Sequence, residues 1–214
     1  MVVQNPLTGR SRGKYGNSVF TTQKGQNIVK TKPEVVANPK TEGQINQRAK
    51  LALAVLLANA VMDIIYKGFN EKLQKLSQFN QFVKVNFAAS FATASAGVAT
   101  LVPANFKISK GSIGTTNFGM TLPDAGETEV FVSFDTIPPA NGSGSDKVLL
   151  AIYNATKNEW AMYTGSNTRS IGEAGVNFPS AVAAGNVLHV YLGFCSADLK
   201  KASDSIHQTG TAQA

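Results

Sequence analysis

Apolar side chains recur at three- and four-residue spacing between residues 45 and 65, which predicts an amphipathic helix. Pro39 blocks helix before this run, and Thr41 and Gln44 can form a capping box at its start. The positions on the apolar stripe are Ile45, Ala49, Ala52, Leu53, Leu56, Ala60 and Ile64. Because further apolar residues widen the stripe, we expect this helix to be buried on more than one side.

A second amphipathic run follows Gly68, which interrupts the first pattern. The positions on its inner side are Phe69, Leu73, Leu76, Phe79 or Asn80, and Val83. Because only a short turn separates the two runs, the sequence predicts an antiparallel helical hairpin. Residues 87–104 are rich in Ala, Ser and Thr, and we expect them to continue the helix before loosening into a linker.

After Asn105 the pattern changes from helical spacing to alternation of apolar and polar positions. The strand-like segments are Thr128–Phe134, Lys147–Tyr153, Trp160–Tyr163 and Val187–Phe194. Turn-forming clusters rich in Gly, Asn, Pro and Ser separate them, notably residues 138–145. About seven short strands at this spacing are typical of an immunoglobulin-like antiparallel β-sandwich, here without the paired cysteines of antibody domains.

The sequence therefore predicts an α+β chain in three parts: an extended basic arm (1–37), a helical region (38–104) and a β-sandwich domain (105–214). The arm has only two β-prone pieces, residues 18–22 and 26–30, and little apolar content. Such a segment cannot offset its ordering entropy alone. We expect another subunit to hold it, the alternative being a hairpin folded back on its own body.

The distribution of charged residues supports the division between the arm and the rest of the chain. Residues 1–50 contain nine Lys or Arg and two Asp or Glu, whereas the rest of the chain contains eleven of each sign, so the net +7 belongs to the N-terminal part. The candidate contact residues, for a partner protein or for nucleic acid, are Arg10, Arg12, Lys14, Lys24, Lys30 and Lys32. They could neutralise phosphates, bind an acidic neighbouring subunit, or simply form a solvated surface.

Candidate catalytic and ligand-binding residues are few. His189 and Cys195 would share one face of a strand, but six residues of strand place them about 20 Å apart, too far for a dyad. We interpret them as packing residues on the face opposite Leu188 and Val190. Asp198 and Asp204 lack metal-ligand spacing, and no glycine cluster has the pattern of a phosphate loop. The sequence therefore predicts no enzyme activity, no cofactor and no metal.

Two further features concern location. The single Cys195 cannot form an internal disulfide, which fits a reducing compartment. The N-terminus lacks the pattern of a secretory signal, and the apolar stretch from Ala49 to Tyr66 is interrupted by polar residues and is too short for a membrane span. We expect a protein that is not exported by that route and has no membrane partner.

Several motifs, spread over nearly the whole chain, carry a resemblance. They are Gly13-Lys-Tyr-Gly-Asn17, Asn38-Pro-Lys-Thr41 with Gln44 and Arg48, Asp146–Asn154, Arg169, Pro179, Gly185, His189–Phe194, Ser203–Ser205 and Gly210. The sequence resembles an uncharacterised domain family of Bacteroidota and their phages. That resemblance implies a bacteriophage virion component. Members of the family usually carry an aromatic residue near Ile206 and His207, so no role passes to His207.

We therefore expect a non-enzymatic structural component of a tailed-phage virion, a head-to-tail connector ring, collar or tail protein that acts through subunit assembly. Its partners would be further copies of the chain in a ring and neighbouring virion proteins. It would be made in the bacterial cytoplasm and reside in the virion. The alternative is a nucleic-acid-binding protein that is packaged with DNA or organises it.

Overall fold

The computed structural model describes residues 12–23, 26–35, 38–71, 76–163 and 165–213. The chain divides into two compact units, residues 1–41 and residues 42–214. The helices and the sandwich belong to the same unit, so the boundary expected near residue 104 falls inside one compact body.

The first unit contains a three-stranded antiparallel meander. Its strands are β1 (Gly13–Tyr15), β2 (Ser18–Gln23) and β3 (Gln26–Thr31), in the order β1-β2-β3. Tyr15 pairs with Ser18, so β1 and β2 are joined by a two-residue loop in which Gly16 adopts φ 52°. Glycine adopts this left-handed conformation without steric cost. The two β-prone pieces of the arm are thus strands, and no described residue between 12 and 35 is buried.

The second unit begins with three helices, α1 (Glu42–Ala60), α2 (Met62–Gly68) and α3 (Gln78–Asn86). α1 begins directly after Thr41, as the capping pattern predicts. Between α1 and α2 the chain bends by 88°. Within the described residues no single helix is long and apolar enough to cross a membrane. The bent pair of α1 and α2, taken together, has the length and apolar composition of a membrane span.

The expectation that the first helix is buried on more than one side is wrong for α1. Only Ala54, Leu57 and Ala58 are buried there. In α2, by contrast, Ile64 and Ile65 are buried. Because the chain bends after Ala60, the apolar stripe is divided between two helix directions, and one side of α1 remains exposed.

The second helix begins later than predicted. Phe69 is fully buried but lies just beyond the end of α2, and α3 begins only at Gln78. The side chain of Ser77 caps it, since Ser77 Oγ accepts a hydrogen bond from the amide of Asn80 at 3.2 Å. Leu73, assigned to the predicted helix, lies outside the described residues.

The helix expected to continue after residue 87 is also wrong. α3 ends at Asn86, and the chain forms a β-hairpin from β4 (Phe91–Ser95) and β5 (Val98–Leu101). Gly97 turns the hairpin with φ 78°, a conformation that other residues rarely adopt. The helical region is therefore three helices and a β-hairpin rather than a two-helix hairpin.

The remaining strands form the predicted antiparallel β-sandwich. They are β6 (Phe118–Thr121), β7 (Glu129–Phe134), β8 (Lys147–Asn154), β9 (Glu159–Met162), β10 (Glu173–Asn177), β11 (Val187–Cys195) and β12 (Ile206–Thr211). One sheet has the order β10-β7-β6 and the other β12-β11-β8-β9. The four strands identified from the sequence correspond to β7, β8, β9 and β11. The α+β fold with a sandwich is confirmed.

Two apolar cores lie on opposite faces of the four-stranded sheet. Leu188 and Val190 belong to the core between the two sheets. Tyr191 and Cys195 belong to a second core with buried residues of the helices, such as Phe82. The predicted alternation along β11 is therefore confirmed. Both faces of this sheet are covered, whereas the outer side of the sheet β10-β7-β6 and one side of α1 are partly solvated.

Candidate functional site

The basic residues of the meander share one face. Lys14 and Lys30 are each registered opposite Val19, and directly opposed residues of an antiparallel sheet point to the same side. Arg12 and Lys32 continue the same alternation one residue beyond the strands, and the Lys32 amide donates to the Asn17 carbonyl oxygen at 2.6 Å. All four basic residues are exposed. We call them, with Val19, the basic face.

The other side of the meander carries its aromatic side chains. Phe20 is registered opposite both Gly13 and Val29, and Tyr15, two residues from Gly13, has 83% of its surface exposed. The meander is therefore an amphipathic sheet in which a basic and an aromatic side are separated by the pleat. Four of the six predicted contact residues meet on the basic face, whereas Arg10 and Lys24 lie outside the described residues.

A second exposed surface lies on α1. Leu51, Val55 and Leu56 are 47%, 38% and 61% exposed. We call these three residues the outer face of α1. Beside it a cavity of about 470 Å³ is lined by residues of α1, β5, β8 and the β8–β9 turn, among them Leu56, Leu101 and Tyr153. Contiguous exposed apolar side chains of this kind mark interaction surfaces more often than solvated ones.

A histidine pair lies between β11 and β12. His189 Nδ1 is 3.0 Å from His207 Nε2 and 2.9 Å from Thr209 Oγ1. Burial lowers the pKa of His189. Burial also lowers the pKa of His207, to about 4, and nearby positive charge on His189 and Lys107 adds to this second shift. Both imidazoles are therefore neutral at pH 7, and the pair acts as a hydrogen-bonded, stacked contact between strands.

The pairing of His207 with His189 could not be predicted from the sequence, because β12 has no clear alternation of apolar and polar residues. In the structure its ring packs against Tyr191 with centroids 5.0 Å apart, and against His189 at 5.2 Å. The His207 imidazole is therefore part of the cluster of rings between β11 and β12.

Cys195 and Asp204 have structural surroundings. Burial raises the pKa of the Cys195 thiol to about 11, so the thiol stays protonated at neutral pH and is a poor nucleophile. Asp204 Oδ1 accepts a hydrogen bond from the Gly111 amide at 3.1 Å, which ties the C-terminal segment to the loop before β6. His189, the candidate partner of Cys195 in a catalytic dyad, is hydrogen-bonded to His207 instead.

These features define a protein with a basic β-meander followed by a β-sandwich backed by helices. The chain belongs to DUF6266, a family of unknown function, whose model matches residues 10–209. The match spans both the meander and the sandwich, so the two units occur together in the family.

Other comparisons are less informative. A solved structure from a study on the computer-based redesign of a β-sandwich protein is similar at 11% identity. The similarity covers 48% of this chain and 98% of that chain, with a TM-score of 0.33. No curated protein matches the sequence.

Proposed function

We propose that this protein is a non-enzymatic structural component that acts by assembling with further copies of itself and with neighbouring proteins. The observation that carries the proposal is the meander, where no described residue between 12 and 35 is buried. Small sheets need a covered apolar face to be stable. Phe20 and Val29 supply apolar side chains whose full burial against a partner would help to stabilise the strands.

The outer face of α1 supports the same function. Three large apolar side chains are partly exposed on consecutive turns, Leu51, Val55 and Leu56. Burying them against a partner would remove apolar surface from water, at about 25 cal/mol per Å². A protein that works alone has no physical need for such a surface on its longest helix.

The setting proposed for this assembly is a tailed-phage virion, as a head-to-tail connector ring, collar or tail protein made in the bacterial cytoplasm. Its support is the sequence resemblance. Two of the motifs that carry the resemblance build the elements concerned: Gly13–Asn17 forms the first turn of the meander, and Asn38–Thr41 leads directly into α1.

The assembly is tested by light scattering on the full-length protein over a series of concentrations at low salt. We expect oligomers that grow with concentration, and a Leu51→Gln/Leu56→Gln variant that assembles more weakly at unchanged circular dichroism. Lys84→Gln, an exposed change on α3, is the control. A full-length protein that stays monomeric at every concentration and salt would refute the proposal.

A nucleic-acid-binding protein remains the second candidate, favoured by the placement of Arg12, Lys14, Lys30 and Lys32 on one face. Aligned cations can neutralise successive phosphates, and the affinity then falls steeply with salt. A gel-shift salt series with DNA tests this. Loss of binding in Lys14→Gln/Lys30→Gln, but not in the control Lys200→Gln on the body, would favour it. Absence of binding at low salt would exclude it.

A further inference from the structure

The outer face of the sandwich sheet β10-β7-β6 is exposed and carries an aromatic ring at its centre. Along β7, the exposed residues Glu129, Phe131 and Ser133 alternate with buried ones. Glu173 of β10 is registered opposite Ser133, so Phe131 lies between the rows that hold Glu129 and Glu173. Phe131 itself is 46% exposed.

Carboxylates predominate on this surface, although Lys157 from the β8–β9 turn donates a hydrogen bond to Ser180 Oγ at 3.2 Å, in the segment after β10. Residues 111–146 contain no Lys or Arg, and the stretch from Ser170 to Asn186 contains none either. The exposed carboxylates in and beside the sheet are Asp124, Glu127, Glu129, Asp135 and Glu173. Within the described part of the chain the two ion pairs, Arg169–Asp146 and Lys200–Asp198, involve none of them. We call these carboxylates, with Phe131, the acidic face.

The acidic face contains a depression suited to a cationic side chain. A cavity of about 380 Å³ is lined by Glu127, Glu129 and Phe131 among others. A Cβ at Gly175 would lie 2.8 Å from Glu129 Oε1 and 3.0 Å from Phe131 Cε1, so carboxylate and ring converge over this glycine. A lysine or arginine side chain that enters the cavity would gain a charge-assisted hydrogen bond to Glu129 and a cation–π contact with Phe131.

The basic face has the complementary arrangement. Val19 lies between Lys14 and Lys30, whose Cα atoms are two strand spacings, about 10 Å, apart. Neither lysine belongs to an ion pair with another described residue. Both faces therefore present an apolar side chain flanked by charges, positive on the meander and negative on the sandwich.

We propose that the basic face of one copy docks on the acidic face of a second copy, with Val19 near Phe131 and the lysines near Glu129 and Glu173. This rests on the proposed function, since it assigns the surfaces through which copies assemble. Complementary charge favours the correct partner and speeds encounter. Because the two faces belong to different surfaces of one chain, the contact is head-to-tail, and its repetition generates a ring or a filament.

Charge reversal tests the docking in the full-length protein. Variant A is Lys14→Glu/Lys30→Glu and variant B is Glu129→Lys/Glu173→Lys. We expect each alone to weaken assembly by about tenfold or more, measured by light scattering at low salt. The control Lys84→Glu/Lys110→Glu, which changes exposed lysines elsewhere by the same charge, should assemble normally. Circular dichroism and thermal unfolding verify that each variant is folded.

Mixing decides whether the contact joins two copies. An equimolar mixture of variants A and B should form complexes, because the acidic meander of A then meets the basic sandwich of B. A chain carrying all four substitutions should regain assembly. Rescue in that chain without rescue in the mixture would overturn docking between copies and place the contact within one chain.

The outcomes separate this inference from the proposed function. If the unaltered protein assembles and variants A and B assemble equally well, the docking is refuted while assembly stands. If variant A loses only DNA binding, the basic face serves nucleic acid and the docking is refuted. An unaltered protein that stays monomeric refutes both proposals.

Discussion

Removing the guanidinium of Arg169 should strongly destabilise the sandwich. Its side chain is fully buried, with Nε 3.7 Å from Asp146 Oδ2. The guanidinium carbon lies 3.6 Å from the centre of the Phe194 ring. Asp146 also accepts a hydrogen bond from the Ser143 amide at 2.8 Å, which fixes the turn before β8. Arg169 thus links the loop after β9 to the core between the sheets.

The magnitude follows from these contacts. Breaking a buried ion pair by removing one partner costs about 3–5 kcal/mol, because the remaining buried charge loses its counter-ion. Arg169→Met retains an apolar stem over Phe194 but loses a cation–π contact of about 1–2 kcal/mol and leaves Asp146 unpaired. We therefore expect a loss of about 3–5 kcal/mol in the free energy of unfolding.

The assay is urea unfolding of the full-length protein at neutral pH, followed by circular dichroism. Asp146→Asn should destabilise similarly, since it leaves Arg169 charged in the core. The double variant Arg169→Met/Asp146→Asn should cost clearly less than the two single variants added together, because no unpaired charge remains. Additive losses, or a loss under about 1 kcal/mol for Arg169→Met, would refute this account of the pair.

Three further outcomes are expected. Because the pKa of His207 is lowered to about 4, the unfolded chain binds its proton first as the pH falls. Stability should be full above about pH 6.5 and fall by roughly 1 kcal/mol as the pH drops towards 4, allowing for screening of the half-exposed ring. In a pH series of urea unfolding, His207→Phe should reduce this dependence, and His189, whose pKa is also lowered by burial, should keep the remainder. Ser77→Ala should lower the unfolding free energy by about 1 kcal/mol through loss of the α3 cap, with Ser77→Asp as the variant that retains it, in the same urea assay. The Cys195 thiol should react with a disulfide reagent only in urea, since burial raises its pKa to about 11; rapid labelling of the native protein would contradict this.

The elements predictable from the sequence were those in which one local signal dominates. The proline and capping pattern before Glu42 fixed the start of α1, and alternation located β7, β8 and β11. The hairpin at 91–101 could not be predicted in this way, since its Ala, Ser and Thr residues suit both helix and strand. Its position depends on contact with α1, where the Asn46 side chain accepts a hydrogen bond from the Gly97 amide at 2.8 Å.

Composition located the basic part of the candidate site, but only register showed its geometry. Lys14 and Lys30 are distant in sequence, and their common face follows from pairing with the same residue, Val19. The histidine pair required β12, whose pairing with β11 brings His207 opposite Tyr191 and beside His189. A short strand with many polar residues, such as β12, shows no apolar–polar alternation from which its pairing could be predicted.

The acidic face also has a compositional signal in the sequence. The stretch without Lys or Arg from 111 to 146 mirrors the absence of Asp and Glu from 1 to 33. Balanced totals over residues 51–214 concealed it, since the compensating lysines lie elsewhere in the body. Opposite charges separated along one chain need not meet within that chain. When each set lies on an exposed sheet face around an apolar residue, association between copies satisfies both, and that is the physical reason for testing the two faces together.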